Sequence, residues 1–178
     1  MNDVIKKYIS VTEAHCEQIL TEYIRGYILD KKGSYGSIAV FCIGTDRATG
    51  DSLGPLVGTS LCELGFNNVV GTMQSPVHAI NIREKVDILY KRYDNPLVIA
   101  IDACLGFRTN IGDISVWDGP VRPGLGVFKD LISVGDIAIT GTVNKWSLNG
   151  LAQLQTTRLS LVMNMSRVIA YSIFKALS

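Results

Sequence analysis

The stretch "IAVFCIGTDRATGDSLGP", which runs from Ile38 to Pro55, carries the clearest fold signal in the chain. Its first six residues, Ile38 to Ile43, form a continuous apolar run with β-branched members, which is typical of a strand buried on both faces. Pro55 suits the first turn of a helix, and we expect Ser52 or Asp51 to cap that helix. The stretch therefore predicts a buried strand, a loop and a helix.

The loop inside this stretch, Ile43 to Pro55, is more polar than a plain connection needs to be. It contains two aspartates, an arginine, two threonines and a serine. A sharp turn between two buried elements requires only one or two glycines. We therefore expect this loop to build part of a functional site.

The alternation of strand and helix continues further along the chain. A second strand is predicted over Asn68 to Met73, a helix from Asn81 to about Tyr93, and a third buried strand over Pro96 to Asp102. This order of elements predicts a parallel sheet with right-handed crossovers.

The remaining segments complete a predicted single α/β domain over residues 1–178. We expect a helix from Val4 to Leu29 that packs on the sheet, and short strands at Asp113 to Trp117 and Asp136 to Val143. A final helix is predicted from about Asn149 to Leu177, with a break. The expected architecture is a three-layer α/β/α sandwich with a mostly parallel sheet.

Composition narrows the functional classes. The chain has 178 residues, 47% of them hydrophobic and 19% charged, with a net charge of +1, so no basic footprint for nucleic acid is visible. No run approaches the ~20 apolar residues that span a bilayer. The four cysteines show no C-x-x-C spacing for zinc. We expect a cytoplasmic protein that binds neither nucleic acid nor membrane.

Two aspartates are candidates for chemistry because of where parallel strands end. Ligands of open parallel sheets bind beyond the carboxyl ends of the strands, where the loop with Asp51 and the third strand with Asp102 both lead. Two carboxylates held close together cannot both ionise easily, and one of them keeps a proton. Such a pair suits general acid–base catalysis or the binding of a divalent metal.

Each of these residues also has a plainer interpretation. Asp51 fits a helix cap, and Asp102 fits an aspartate that accepts hydrogen bonds from loop amides. Asp46 and Arg47 fit a local surface pair, and His78 fits an ordinary loop histidine.

Four segments of the chain carry a resemblance to a known family. They are Cys42 to Gly58, Pro96 to Gly106, Arg122 to Lys129 and Asp136 to Asn144. They resemble the YyaC-type sporulation proteins of spore-forming bacteria over roughly residues 37–177. That family is similar, more remotely, to the spore germination protease and to the hydrogenase maturation proteases. The resemblance implies an α/β/α sandwich of the phosphorylase/hydrolase kind.

The resemblance also implies roles for particular residues. Asp51 in "DSLGP" and Asp102 in "VIAIDA" match the two essential aspartates of the germination protease. The same positions match nickel-binding acids in the hydrogenase maturation proteases, which add a later histidine. No histidine follows His78 here, which argues against a three-ligand nickel site. We therefore expect no cofactor.

Five further residues complete the predicted site as substrate-binding or supporting groups. They are Asp46, Arg47, Thr49, Thr142 and Asn144.

Three functions follow as hypotheses. The first is a peptidase in which Asp51 and Asp102 activate water against a peptide bond, with small acid-soluble spore proteins as implied substrates. The second is a non-catalytic module of the same fold that binds a peptide or a partner during sporulation. The third is a metal-dependent maturation peptidase. The sequence is also compatible with a homo-oligomer.

Overall fold

A computed structural model describes residues 6–31, 33–124 and 132–178. The strands are β1 (Lys7–Ser10), β2 (Ser37–Cys42), β3 (Val69–Val70), β4 (Pro96–Gly106), β5 (Asp113–Asp118) and β6 (Ile137–Lys145). The helices are α1 (Cys16–Asp30), α2 (Leu53–Glu63), α3 (Ile82–Arg92), α4 (Gly150–Gln155) and α5 (Leu159–Leu177). Part of the predicted motif Arg122 to Lys129 lies outside the described residues.

The six strands form one sheet in the order β1-β5-β6-β4-β2-β3. The pairs β2–β3, β2–β4 and β4–β6 are parallel, whereas β1–β5 and β5–β6 are antiparallel. The predicted mixed α/β fold with a mostly parallel sheet between helices is confirmed. The strands that lead to the two aspartates are neighbours, because β2 pairs with β4 along its whole length.

The two faces of the sheet are covered by different helices. Apolar residues of α1, α2 and α5 form the larger core with one face, and they include Leu20, Leu61 and Ile169. Residues of α3, among them Leu89, pack with Phe41 on the opposite face. The face covered by α3 is the one that leads to the functional site.

The predicted helix from Val4 to Leu29 is wrong at its start. Lys7–Ser10 forms a strand that pairs antiparallel with β5, and α1 begins only at Cys16. Ile9 of this strand is 2% exposed. A four-residue segment fits either period, and its pairing with a distant strand decides the outcome. Val4 itself lies outside the described residues.

Three further features of the sequence prediction can be compared with the structure. The third predicted strand continues through Asp102 to Gly106, so that Asp102 lies inside β4. The predicted break in the last helix is confirmed between α4 and α5. Ser52 makes no side-chain cap at α2, because its hydroxyl donates instead to the carbonyl of Thr49 at 2.6 Å.

No described helix combines the length and the apolar character that a bilayer crossing requires.

Candidate active site

One face of the sheet changes from apolar to polar along its central strands. Side chains alternate between the faces of a strand, so Ala100 and Asp102 of β4 share the face that α3 partly covers. On β6, Ala138 and Thr140 follow the same alternation. Asp102 lies directly opposite Thr140 in the register of the two strands. The core of this face therefore gives way to hydrogen-bonding groups at one level of the sheet.

The polar row extends to neighbouring strands and to the next level. Thr140 lies opposite Ser115 of β5, and both side chains are buried. Cys104 lies opposite Thr142, and its thiol is within hydrogen-bond distance of the Thr142 hydroxyl at 3.5 Å and of the Thr140 hydroxyl at 3.8 Å. Burial raises the pKa of the Cys104 thiol, so the neutral form is favoured.

These side chains line a cavity of about 730 Å³. That size is typical of ligand pockets. Its lining is formed by Lys6, Tyr8, Asp51, Asp102, Ala103, Cys104, Leu105, Gly106, Phe107, Asn110, Ser115, Trp117, Pro120, Val121, Arg122, Gly124, Thr140, Thr142 and Leu154. Both predicted aspartates thus reach the same cavity.

Asp102 is the buried acid of this cavity. Asp102 is 8% exposed, and its Oδ1 accepts a hydrogen bond from the Ala103 N–H at 2.9 Å. Burial raises the pKa of the Asp102 carboxyl well above its usual range, and the negative charge of Asp51 raises it further. The hydrogen bond from Ala103 acts in the opposite direction without reversing the shift. Asp102 is therefore the better proton donor of the pair near neutral pH.

Asp51 is presented by a short 3-10 turn, Thr49–Ser52, that precedes α2. Its backbone N–H donates to the carbonyl of Ala48 at 2.9 Å, and its own carbonyl accepts from the N–H of Thr45 at 3.0 Å. Gly44 makes this closure feasible, because a Cβ there would overlap the Asp51 carbonyl oxygen. The polar loop is therefore folded back on itself, and the half-buried Asp51 is held at the cavity.

The other predicted site residues divide into two groups. Thr142 lines the cavity. Asp46, Arg47 and Thr49 do not line it, and the first two are exposed. Asn144 supports α4 instead, since its amide donates to the carbonyl of Gln153 at 2.9 Å. A direct role in substrate binding remains a prediction for all five residues.

Sequence analysis missed several cavity residues, among them Lys6, Ser115 and Trp117. The Lys6 ammonium lies 4.1 Å from the centre of the Trp117 ring, which places a cation beside the cavity. The available signal was the alternation within β4 and β6, where every second residue becomes polar toward the end of the strand. The contributions of β1 and β5 had no such signal, because they depend on the order of the strands.

The donor set does not fit a resident metal of the maturation-protease kind. Within the described ranges, no three His, Cys, Asp or Glu side chains are grouped so that they could hold a metal ion. His78 is not among the cavity residues, and its Nδ1 accepts from the Ile80 N–H at 3.4 Å.

Comparisons with known proteins place this geometry in context. Residues 8–172 match the family described as "Protein of unknown function (DUF1256)". The chain is 45% identical over 168 residues to the uncharacterized protein YyaC of Bacillus subtilis, covering 93% of this chain and 81% of that protein.

A solved structure also resembles the fold. The NiFe hydrogenase maturation protease HycI from Thermococcus kodakarensis superimposes with a TM-score of 0.57 at 18% identity, covering 87% of this chain and 98% of that one. At this identity the likeness establishes the fold alone.

Proposed function

The chain belongs to the DUF1256 family of proteins of unknown function, and we propose that it is a peptidase in which Asp51 and Asp102 hydrolyse a peptide bond. The observation that carries this proposal is the placement of both carboxylates at one cavity, with the pKa of Asp102 raised by burial and by the charge of Asp51. The peptidase-like fold shared with a maturation protease supports it.

The proposed reaction uses the two acids in different protonation states. Ionised Asp51 takes a proton from a water molecule while the water oxygen forms a bond to the carbonyl carbon of the peptide. Protonated Asp102 gives its proton to the amide nitrogen, and the C–N bond breaks to leave a carboxylic acid and an amine. Environments that separate the proton affinities of two carboxyl groups divide such roles between them.

A nucleophilic mechanism through Cys104 is less well supported. The thiolate is the reactive form of cysteine, and burial raises the pKa of this thiol. The described cavity lining contains no histidine that would act as its base. The aspartate pair is therefore the better candidate.

The proposal is tested by cleavage of an unstructured protein, such as reduced and carboxymethylated α-lactalbumin, beside purified small acid-soluble spore proteins. We expect Asp51→Asn and Asp102→Asn to lower the rate by about 100-fold or more, the usual contribution of a general acid or base. Asp87→Asn, which changes an exposed carboxylate on α3, is the matched control and should cleave at the wild-type rate.

Equal cleavage by wild type and Asp102→Asn would contradict the catalytic roles. Saturable binding of these substrates without any cleavage would favour the non-catalytic binding module instead.

The biological setting is part of the same proposal. The resemblance to the spore germination protease implies action on spore proteins in the cytoplasm of a spore-forming bacterium, and the similarity to a Bacillus subtilis protein supports that setting. A homo-oligomer stays a prediction.

A further inference from the structure

We propose that Lys6, held over Trp117, binds a carboxylate of the peptide substrate about five residues from the bond that is hydrolysed. This inference rests on the proposed peptidase function and adds the substrate class: a peptide with an anionic group at a fixed distance from the cleavage site. The subsite lies beside β1, three strands away from the β4 strand that carries Asp102.

Lys6 presents its charge to the cavity. Its Nζ lies 4.1 Å from the centre of the Trp117 ring, and Trp117 is 7% exposed, so the indole forms a rigid support for the ammonium. Both residues line the cavity. The charge of the ammonium also acts on a side chain of the cavity. Burial raises the pKa of the Cys104 thiol, and the positive charge of Lys6 opposes this shift.

The positive charges of the cavity lie outside the ion pairs formed among the described residues. The ion pairs among the described residues are Lys31–Asp118 and Lys175–Glu17, and neither uses a cation of the cavity. Arg122 lines the same cavity and is exposed, which adds a second positive charge. The cavity lining thus includes two cations beside its two acids, and a substrate that pairs with the cations carries an anion.

The register of the sheet sets the distance between the backbone of Asp102 and that of Lys6. Asp102 is level with Thr140, Thr140 with Ser115, and Ser115 with Tyr8. Lys6 precedes β1 by one residue, on the Trp117 side of Tyr8. Three strand spacings of about 4.8 Å, together with the two-residue offset along the strand, separate the backbone of Asp102 from that of Lys6 by roughly 16 Å. An extended peptide rises about 3.3 Å per residue, so a peptide that crosses the strands covers this distance in about five residues.

Binding is measured on the full chain carrying Asp102→Asn, so that no substrate is consumed. Three pools of nonapeptides with neutral residues at the variable positions are compared on the immobilised protein by mass spectrometry. One pool is blocked at both ends with a central glutamate, the second has glutamine there, and the third has glutamine and a free C-terminal carboxylate. We expect about tenfold greater retention of a carboxylate pool over the blocked glutamine pool, and weaker retention at high salt.

The first and third pools distinguish a side-chain carboxylate from a chain end. Greater retention of either one supports the subsite and identifies the source of the anion. Equal retention of all three pools, or retention of none, would overturn the inference. Asp51→Asn serves as a second background for the case in which Asp102→Asn does not fold.

Variants of neighbouring lysines make the test specific. Lys6→Gln should abolish the preference and Lys6→Arg should keep it. Lys7→Gln is the matched control, because this substitution removes the same charge one residue away from Lys6. The Nζ of Lys7 lies 5.8 Å from the centre of the Tyr23 ring, on the face of the sheet that helix α1 covers. A preference that survives Lys6→Gln would also overturn the inference.

The outcomes separate this inference from the proposed function. A carboxylate preference that depends on Lys6, in a wild-type protein that cleaves nothing, would refute the peptidase and leave the subsite. Cleavage by the wild type that is indifferent to substrate carboxylates would refute the subsite and leave the peptidase.

Discussion

The raised pKa of Asp102 depends on the length of β4, because the strand continues past Asp102 and keeps its side chain buried. The strand continues to Gly106, and alternation turns the Asp102 side chain onto the polar level of the sheet between Ala100 and Cys104. A carboxyl group at the end of the strand would be solvated and would titrate as an ordinary acid. Burial instead raises the pKa of Asp102, and Asp51 adds to the shift.

This raised pKa has a consequence for stability. The folded state holds the Asp102 proton more tightly than the unfolded chain does, so this contribution is fully present at low pH. It is lost as the pH rises from the unfolded value, about 3.9, through the folded one. Each unit of difference corresponds to about 1.4 kcal/mol of unfolding free energy.

We therefore predict that Asp102→Asn raises the free energy of unfolding relative to wild type at pH 8, and that the advantage disappears toward pH 4. Asparagine Oδ1 can still accept from the Ala103 N–H, so the comparison isolates the charge. Thermal or urea unfolding at a series of pH values measures it, with Asp87→Asn as the control. An Asp102→Asn protein that is less stable than wild type at pH 8 would contradict this account.

At the scale of elements, the connection from β2 to α2 fixes Asp51. The helix begins so close to the strand that a Cβ at Gly54 would overlap the carbonyl oxygen of Ile43. Only glycine permits this approach, because the neighbour is backbone and cannot swing away. The position of the 3-10 turn with Asp51 follows from that contact.

Two glycine-to-alanine variants test this packing. Gly54→Ala should lower the free energy of unfolding by about 3 kcal/mol, at the upper end of overpacking effects, and should slow cleavage by displacing Asp51. Gly26→Ala is the matched control in helix α1, where a Cβ meets nothing within 4 Å, and it should stabilise by about 0.5–1 kcal/mol. Urea unfolding measures both. Equal stability of the two variants would contradict the close packing of α2 on β2.

The predictable elements are those whose own sequence is apolar enough to indicate that they are buried. β2 and β4 are continuous apolar runs that sit between two layers, and both were predicted. β1 was not, because "KYIS" becomes a strand only through its pairing with β5. Asn81, which precedes α3, makes no side-chain cap, and its Oδ1 accepts from the N–H of His78.

At the scale of the whole molecule, the cavity joins parts of the chain that no local pattern connects. Asp51 and Asp102 were predictable as a pair, because two strands of a parallel sheet deliver their loops to one edge. The presence of Lys6 and Trp117 at the cavity was not predictable, since both residues reach it only through the strand order β1-β5-β6-β4. The motifs of the central strands β2 and β4 do not indicate that the antiparallel strands β1 and β5 are added at the edge of the sheet.

The central claim is that Asp51 and Asp102 act on each other across one cavity. Carbon-13 NMR titration of labelled aspartate carboxyl groups tests it most directly, in wild type and in Asp51→Asn. We predict that Asp102 titrates well above the ordinary value of about 3.9 in wild type. In Asp51→Asn its pKa should fall while remaining raised, because burial is the larger cause. An Asp102 that titrates at the ordinary value, or that is unaffected by Asp51→Asn, would contradict the account.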